Sequence, residues 1–189
     1  MKFRAVTPTC LTLYLFVAIA LPGRLFAQQT SDQFTHPMQF FGEGANYQVG
    51  FSPYGNSLAV VLAAIDSAKE SIYMTCYEFT SRPIADALIV KYKAGVKVAV
   101  VADYKASLER YSLIPYLAKS GLPIRRCATF DICHDKSVCI DAQTVELGSY
   151  NFTSAATSRN HECLIVLYSV PYIAKIFLAE WQRLWDGSR

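Results

Sequence analysis

Residues 96–104 read VKVAVVADY, a near-continuous apolar run that closes at Asp103. A strand that alternates can leave one side in water, but a run apolar on both sides must be covered on both, as in a parallel sheet flanked by helices. The neighbouring patterns agree. In residues 56–70, NSLAVVLAAIDSAKE, Leu58, Val61, Leu62 and Ile65 recur at spacings of three and four, which predicts a helix with Asn56 or Ser57 as its N-cap. SIYMTCY has the β-branched and aromatic bias of a strand. Residues 81–95 predict a second helix, capped by Ser81, with Pro83 in its first turn and Gly95 at its end. Residues 107–121 predict a third, which Pro115 should kink or restart and Gly121 closes. Short strands are expected in LPIRR, HDKSVCI, TVELGSY and HECLIVLY, followed by a helix over 170–185 with Ile173, Ile176, Phe177, Trp181 and Leu184 along one stripe. With 189 residues, 52% of them hydrophobic, the chain can bury a core of useful size. These alternations predict one α/β domain over 55–189, a mixed β-sheet flanked by helices on both faces, parallel in its first half and antiparallel in its second.

The first 27 residues follow another logic. Lys2 and Arg4 precede an apolar run over 11–21, then come Pro22, Gly23 and candidate cleavage sites after Ala20 or Ala27. This is the layout of a signal peptide, and the run is about half of the 20 or so residues a spanning helix needs. A periplasmic or secreted protein is expected, without stable membrane insertion once the peptide is removed. Residues 28–54 read as an N-terminal lead-in segment. The formal charge of +3 falls to zero on cleavage, because residues 1–27 hold Lys2, Arg4 and Arg24 and no acid. An anionic partner must therefore be gripped by local cations rather than by a global field. Five cysteines remain after cleavage. Cys127 and Cys133 flank the loop ATFDI and are a candidate disulfide in an oxidising compartment, while Cys76, Cys139 and Cys163 sit in apolar runs as buried small hydrophobes. None has the CxxC spacing of a zinc site.

Polar chemistry concentrates in residues 134–151, HDKSVCIDAQTVELGSYN. Asp141 to Thr144 reads as a four-residue turn, since Asp favours the first position by bonding back to the chain. With Ala142 and Gln143 as the loop, opposed residue numbers sum to 285, so Lys136 faces Ser149 and His134 faces Asn151. Residues two apart on a strand share a face, as do directly opposed residues. His134, Lys136, Ser149 and Asn151 are thus expected to converge, with Asp135, Ser137 and Cys139 turned away. An ammonium, a carboxamide and a hydroxyl are donors suited to phosphate oxygens, and an imidazole serves as nucleophile or proton carrier. A surface hairpin with scattered polar residues is the competing reading, and the second polar pair in matching register weighs against it.

The spacing His134-x-Lys136-x4-Asp141-x6-Gly148-Ser149-x-Asn151 resembles the HKD signature of the phospholipase D superfamily at every fixed position, with similarity from about Gly55 through Trp185. In size, single motif and exported character the chain is similar to the small bacterial Nuc-type endonuclease branch. The resemblance implies a phospholipase D-like fold with one HKD lobe per chain, acting on nucleic acid phosphodiesters with no metal and no cofactor. It implies that His134 attacks phosphorus to form a phosphohistidine, that Lys136 and Asn151 stabilise charge on the non-bridging oxygens with Ser149 assisting, and that Glu162 holds a catalytic imidazole. Asp141 and Gly148 read as structural members of the motif. The leaving oxygen needs a general acid, which the family takes from the histidine of a second motif. His36 and His161 have no HxK context, so a homodimer with two His134 side chains across a two-fold interface is expected, with His161 as a competing acid.

Lys91, Lys93 and Lys97 cluster near one helix end, and Lys105, Arg110, Arg125 and Arg126 lie near strand ends. Lys105, Arg125 and Arg126 are the candidate contacts to a polyanionic backbone, with Tyr104, Tyr111 and Tyr150 as candidate stacking platforms. The expected function is a metal-independent, non-specific endonuclease acting on DNA, with RNA as a further substrate. A phospholipase D acting on lipid head groups is the alternative enzyme, and a non-catalytic nucleic-acid-binding module is the alternative from another class.

Overall fold

The computed structural model describes residues 41–189. The expected signal peptide and the first part of the lead-in segment lie outside the described residues. Seven strands, β1 (Asn46–Ser52), β2 (Ser71–Cys76), β3 (Lys97–Asp103), β4 (Ile124–Cys127), β5 (Lys136–Ile140), β6 (Thr144–Gly148) and β7 (Glu162–Tyr168), form one sheet in the order β1-β7-β6-β5-β2-β3-β4. The β2, β3 and β4 pairings are parallel and the others antiparallel, as expected.

After exposed Lys97, every residue of β3 is buried, and alternation sends its side chains into two different cores. Val98, Val100 and Ala102 pack under helices α1 (Ser57–Ser67), α2 (Arg82–Lys93) and α3 (Ile114–Lys119). Ala99 and Val101 pack against Trp181 and Leu184 of α5 (Pro171–Asp186) on the other side. Trp181 is also anchored by its indole N–H, which donates to the Met74 carbonyl at 3.0 Å.

Two local expectations change and one is narrowed. Residues 46–52, read as lead-in, form edge strand β1, paired along its length with β7 from Asn46↔Tyr168 to Ser52↔Glu162. Of the two outcomes expected at Pro115 the structure shows the restart, with Pro115 in the first turn of α3, where a residue lacking an N–H does best, and a 3₁₀ turn (Ala106–Leu108) before it. A short helix α4 (Ser154–Ser158), too brief to show a period, is capped by Thr153, whose hydroxyl accepts from the Ala156 N–H at 3.0 Å.

The register of the β5–β6 hairpin also differs. Ser137 pairs with Leu147, Val138 with Glu146, Cys139 with Val145 and Ile140 with Thr144, one residue away from the expected pairing. The connection is three residues long, with Asp141 and Ala142 in the left-handed region at φ 51° and 52°. The cause lies about 70 residues upstream. Asp141 accepts the backbone N–H groups of Ser71 at 2.7 Å and of Lys69 and Glu70 at 2.8 Å, so the turn is tied to the start of β2. Burial pushes this carboxyl up, but the three N–H donors outweigh it and hold Asp141 below its ordinary value. Its stabilisation is present above that ordinary value and fades as pH falls through the depressed one. Asp141→Ala is expected to cost about 3 kcal/mol, because three charge-assisted bonds are lost and alanine resists positive φ. Urea unfolding would measure it, and a loss below about 1 kcal/mol would contradict the role of the tie.

Candidate active site

The carboxyl ends of β1, β2, β3 and β6 and the amino ends of β5 and β7 meet along one edge of the sheet, as the pairings Cys76↔Lys136, Gly148↔Leu164 and Ser52↔Glu162 require. Lys136 opens β5 and Gly148 closes β6, so His134, Ser149 and Asn151 lie just beyond the ladder. A one-residue shift in register would turn Ser149 away from Lys136 if both strands continued. The chain avoids this by leaving the ladder at Gly148. A Cβ there would stand 2.3 Å from the Cys163 carbonyl oxygen, so only glycine lets the backbone press against β7.

Ser149 then docks on β7. Its N–H donates to the Cys163 carbonyl at 2.9 Å, its hydroxyl donates to Glu162 Oε2 at 2.6 Å, and it accepts the Cys163 N–H at 3.1 Å. Asn160 Nδ2 donates to Glu162 Oε1 at 3.2 Å. Each Glu162 oxygen thus accepts one bond, from Ser149 and from Asn160, and among the described residues no hydrogen bond joins Glu162 to the His134 imidazole.

His134 is exposed, with its ring centroid 4.7 Å from that of Tyr77, and Lys136 Nζ lies 5.3 Å from the same Tyr77 ring. Lys136 Nζ also donates to the His134 carbonyl at 2.5 Å. Burial lowers the Lys136 ammonium from its ordinary value, while the charges of Asp135, Glu162 and Glu78 pull it back up. An incoming anion would meet a partly desolvated cation, where attraction is stronger than in open water. Asn151 makes no hydrogen bond to these side chains, and its Oδ1 is buried without a partner. The structure thus ties His134 to Lys136 through Tyr77, and Ser149 to Glu162.

Sequence reasoning passed over Tyr77, which lies in the expected strand but just past the observed end of β2, and Asp103. Asp103 is 2% exposed, and its Oδ2 accepts the Cys133 N–H at 2.9 Å while Oδ1 accepts the Ala106 N–H at 2.7 Å. It fixes the backbone one residue before His134. A buried acid ending an apolar strand was the available signal, since such a carboxylate must find donors.

The basic candidates separate. Lys105 is exposed beside this edge. Arg125 donates to the Trp185 carbonyl at 2.7 Å and stacks on the Trp185 ring, and Arg126 donates to Ser107 Oγ at 3.1 Å, so both are committed to packing. Lys91, Lys93 and Lys97 lie at the amino end of β3, opposite Asp103 and about 20 Å away at strand rise. Lys91 donates to the carbonyls of Asp66 and Ala68. Tyr150 is fully buried and bonded to Thr157, which removes it as a stacking platform. His161 and Tyr111 are exposed. Among the described residues, no group of three or more His, Cys, Asp or Glu side chains is arranged to hold a metal.

Residues 61–185 match the family model described as cardiolipin synthase, PLD-like domain. The chain belongs to the phospholipase D-like family. It is 32% identical over 131 residues to a phospholipase D of Rickettsia conorii, covering 69% of this chain and 65% of that relative. It is 28% identical to the mitochondrial cardiolipin hydrolase of Mus musculus, over 69% of this chain and 59% of the relative. The match thus spans somewhat under two thirds of these relatives. The crystal structure of Nuc, a phospholipase D family member from Salmonella typhimurium, superimposes with a TM-score of 0.75 at 44% identity, covering 77% of this chain and 97% of Nuc. NucT from Helicobacter pylori gives 0.69 at 25% identity, covering 76% and 98%. The mixed sheet with helices on both faces is the fold of this phospholipase D-like family.

In this phospholipase D-like site, Gly148→Ala is expected to cost about 3 kcal/mol, because the added methyl meets backbone rather than a movable side chain. Thermal melts of the two proteins would show it, and an unchanged Tm would mean that β6 and β7 are not pressed together.

Proposed function

We infer that the protein is a phosphodiester hydrolase working through His134, and that its substrate is nucleic acid, DNA with RNA as a further substrate. The observation that carries the reading is the exposed His134 ring sharing Tyr77 with a half-buried Lys136, beside the Ser149–Glu162 pair. The first step forms a bond from the His134 imidazole to phosphorus and breaks the bond to the leaving oxygen. Lys136 and the Asn151 amide offset charge on the non-bridging oxygens, and Glu162 fixes the Ser149 hydroxyl against the same centre. Water then attacks the phosphohistidine and restores the imidazole. A second copy of the chain, related by a two-fold axis, supplies the imidazole that protonates the leaving oxygen. Export by the N-terminal signal places this activity in the periplasm or medium.

Similarity to Nuc over nearly the whole of that chain supports the nucleic acid reading. Relatives named phospholipase D and cardiolipin hydrolase support the lipid alternative. Purified protein is expected to nick plasmid DNA in excess chelator and to leave phosphatidylcholine vesicles intact. Choline release with intact plasmid selects the lipase, loss of nicking in chelator contradicts the metal-independent reading, and inactivity on both substrates favours a binding module.

A further inference from the structure

Cys127 and Cys133 bracket the five-residue loop ATFDI, and Asp103 locates both. Cys127 ends β4 opposite Asp103 in the parallel register, and the Cys133 N–H donates to the Asp103 carboxylate. Both side chains are buried, at 1% and 3% exposure, in one cluster with Ala99, Val101, Trp181 and Leu184. The two side chains share this buried cluster as free thiols. Cys76 belongs to the core on the opposite face, Cys139 packs with Val145 and Ala174, and Cys163 is exposed at the start of β7.

We propose that Cys127 and Cys133 are a disulfide-forming pair that clasps the loop between them and fixes the chain entering His134. A disulfide needs its two cysteines held close together, and here Asp103 holds the backbone at both, by strand pairing at Cys127 and by a hydrogen bond at Cys133, with the two side chains in one buried cluster. The reaction is thiol–disulfide exchange with a small-molecule disulfide such as oxidised glutathione. One thiolate breaks the oxidant's S–S bond to give a mixed disulfide and free one glutathione, the second thiolate displaces the remaining glutathione, and the two protons lost by the cysteine thiols are taken up by the two glutathione thiols formed.

Burial governs when this happens. Exchange needs a thiolate, and burial with the neighbouring Cys127 pushes the Cys133 thiol up to about 12. The folded protein reacts slowly for that reason, and the bond forms as the chain folds, before the cluster closes. Once made, the same burial shields it from reductant. Phe130 and Ile132, at 46% and 52% exposure, ride on the clasped loop beside the site, so the bond orders the rim as well as the cysteines. This inference is independent of the substrate.

The full chain would be refolded from denaturant with a reduced and oxidised glutathione couple, alkylated, and mapped by peptide mass spectrometry. The expected result is one crosslink joining Cys127 to Cys133, with a Tm about 5 °C or more above the fully reduced protein. Amide exchange over residues 128–134 should slow in the oxidised form. Cys163→Ser should keep the crosslink and the Tm gain, while Cys127→Ser loses both. A protein whose cysteines all remain alkylable, or a crosslink from Cys133 to Cys76, overturns the pairing without relying on any variant that fails to fold. Unchanged exchange over 128–134 in a correctly crosslinked protein overturns the clasp.

Discussion

Replacing His134 with alanine is expected to lower phosphodiester cleavage by about 10⁴-fold or more, since removing a covalent nucleophile costs on this scale. The fold should barely notice. His134 is exposed, and its ring contact is a tilted one with Tyr77, so the truncation leaves no buried cavity and shifts stability by less than about 0.5 kcal/mol. Single-turnover cleavage paired with a thermal melt separates the two effects. An acid-labile phosphoryl group on wild-type protein quenched during turnover, missing from the variant, would place the bond on this imidazole. Retention of more than about 1% of activity by a well-folded variant would remove His134 as nucleophile. Under the shared-site reading, a mixed dimer of wild-type and His134→Ala chains should lose about 10²–10⁴-fold, because the remaining imidazole can attack but no second one protonates the leaving oxygen.

Changing Glu146 to glutamine is expected to stabilise the protein, by about 2–4 kcal/mol at pH 8. Glu146 lies in the middle of the sheet, opposite Val138 and Val166, 1% exposed, and neither carboxyl oxygen has a hydrogen-bond partner. Burial alone pushes it up from 4.5 to about 8. A carboxyl raised in this way contributes its full stability below about 4.5, where folded and unfolded chains are both protonated. That contribution drains away as pH rises toward 8, because the unfolded chain releases its proton first. Glutamine cannot titrate, so the fall between pH 5 and 8 should flatten in the variant. Urea unfolding at several pH values checks it, and parallel curves for the two proteins would show that Glu146 is already ionised and compensated in the fold.

The two polar positions teach different lessons about legibility. His134 and Lys136 stand out in the chain because Ser149 and Asn151 answer them with a second polar pair two apart, which a lone imidazole and ammonium would lack. Glu146 is hidden in TVELG, where an acid between apolar residues reads as the solvent side of an ordinary alternating strand. Its burial follows from α1 covering that face, a fact of packing rather than of local pattern. Arg125 and Arg126 mislead in the opposite direction. A basic pair before the motif suggests an anion, yet one guanidinium bonds the Trp185 carbonyl and the other Ser107, partners 60 and 19 residues away.

The sequence by itself determined the layered α/β architecture, because apolar content on both sides of VKVAVVAD demands cover on both faces, and it marked the reacting groups through their spacing. Tertiary structure decided the hairpin register, the edge strand β1 and the company each motif residue keeps. Register depended on Asp141 finding three N–H donors at residues 69–71, and β1 on finding β7. Both are pairings between distant segments, whose free energy exists once the chain has closed and which no local periodicity encodes.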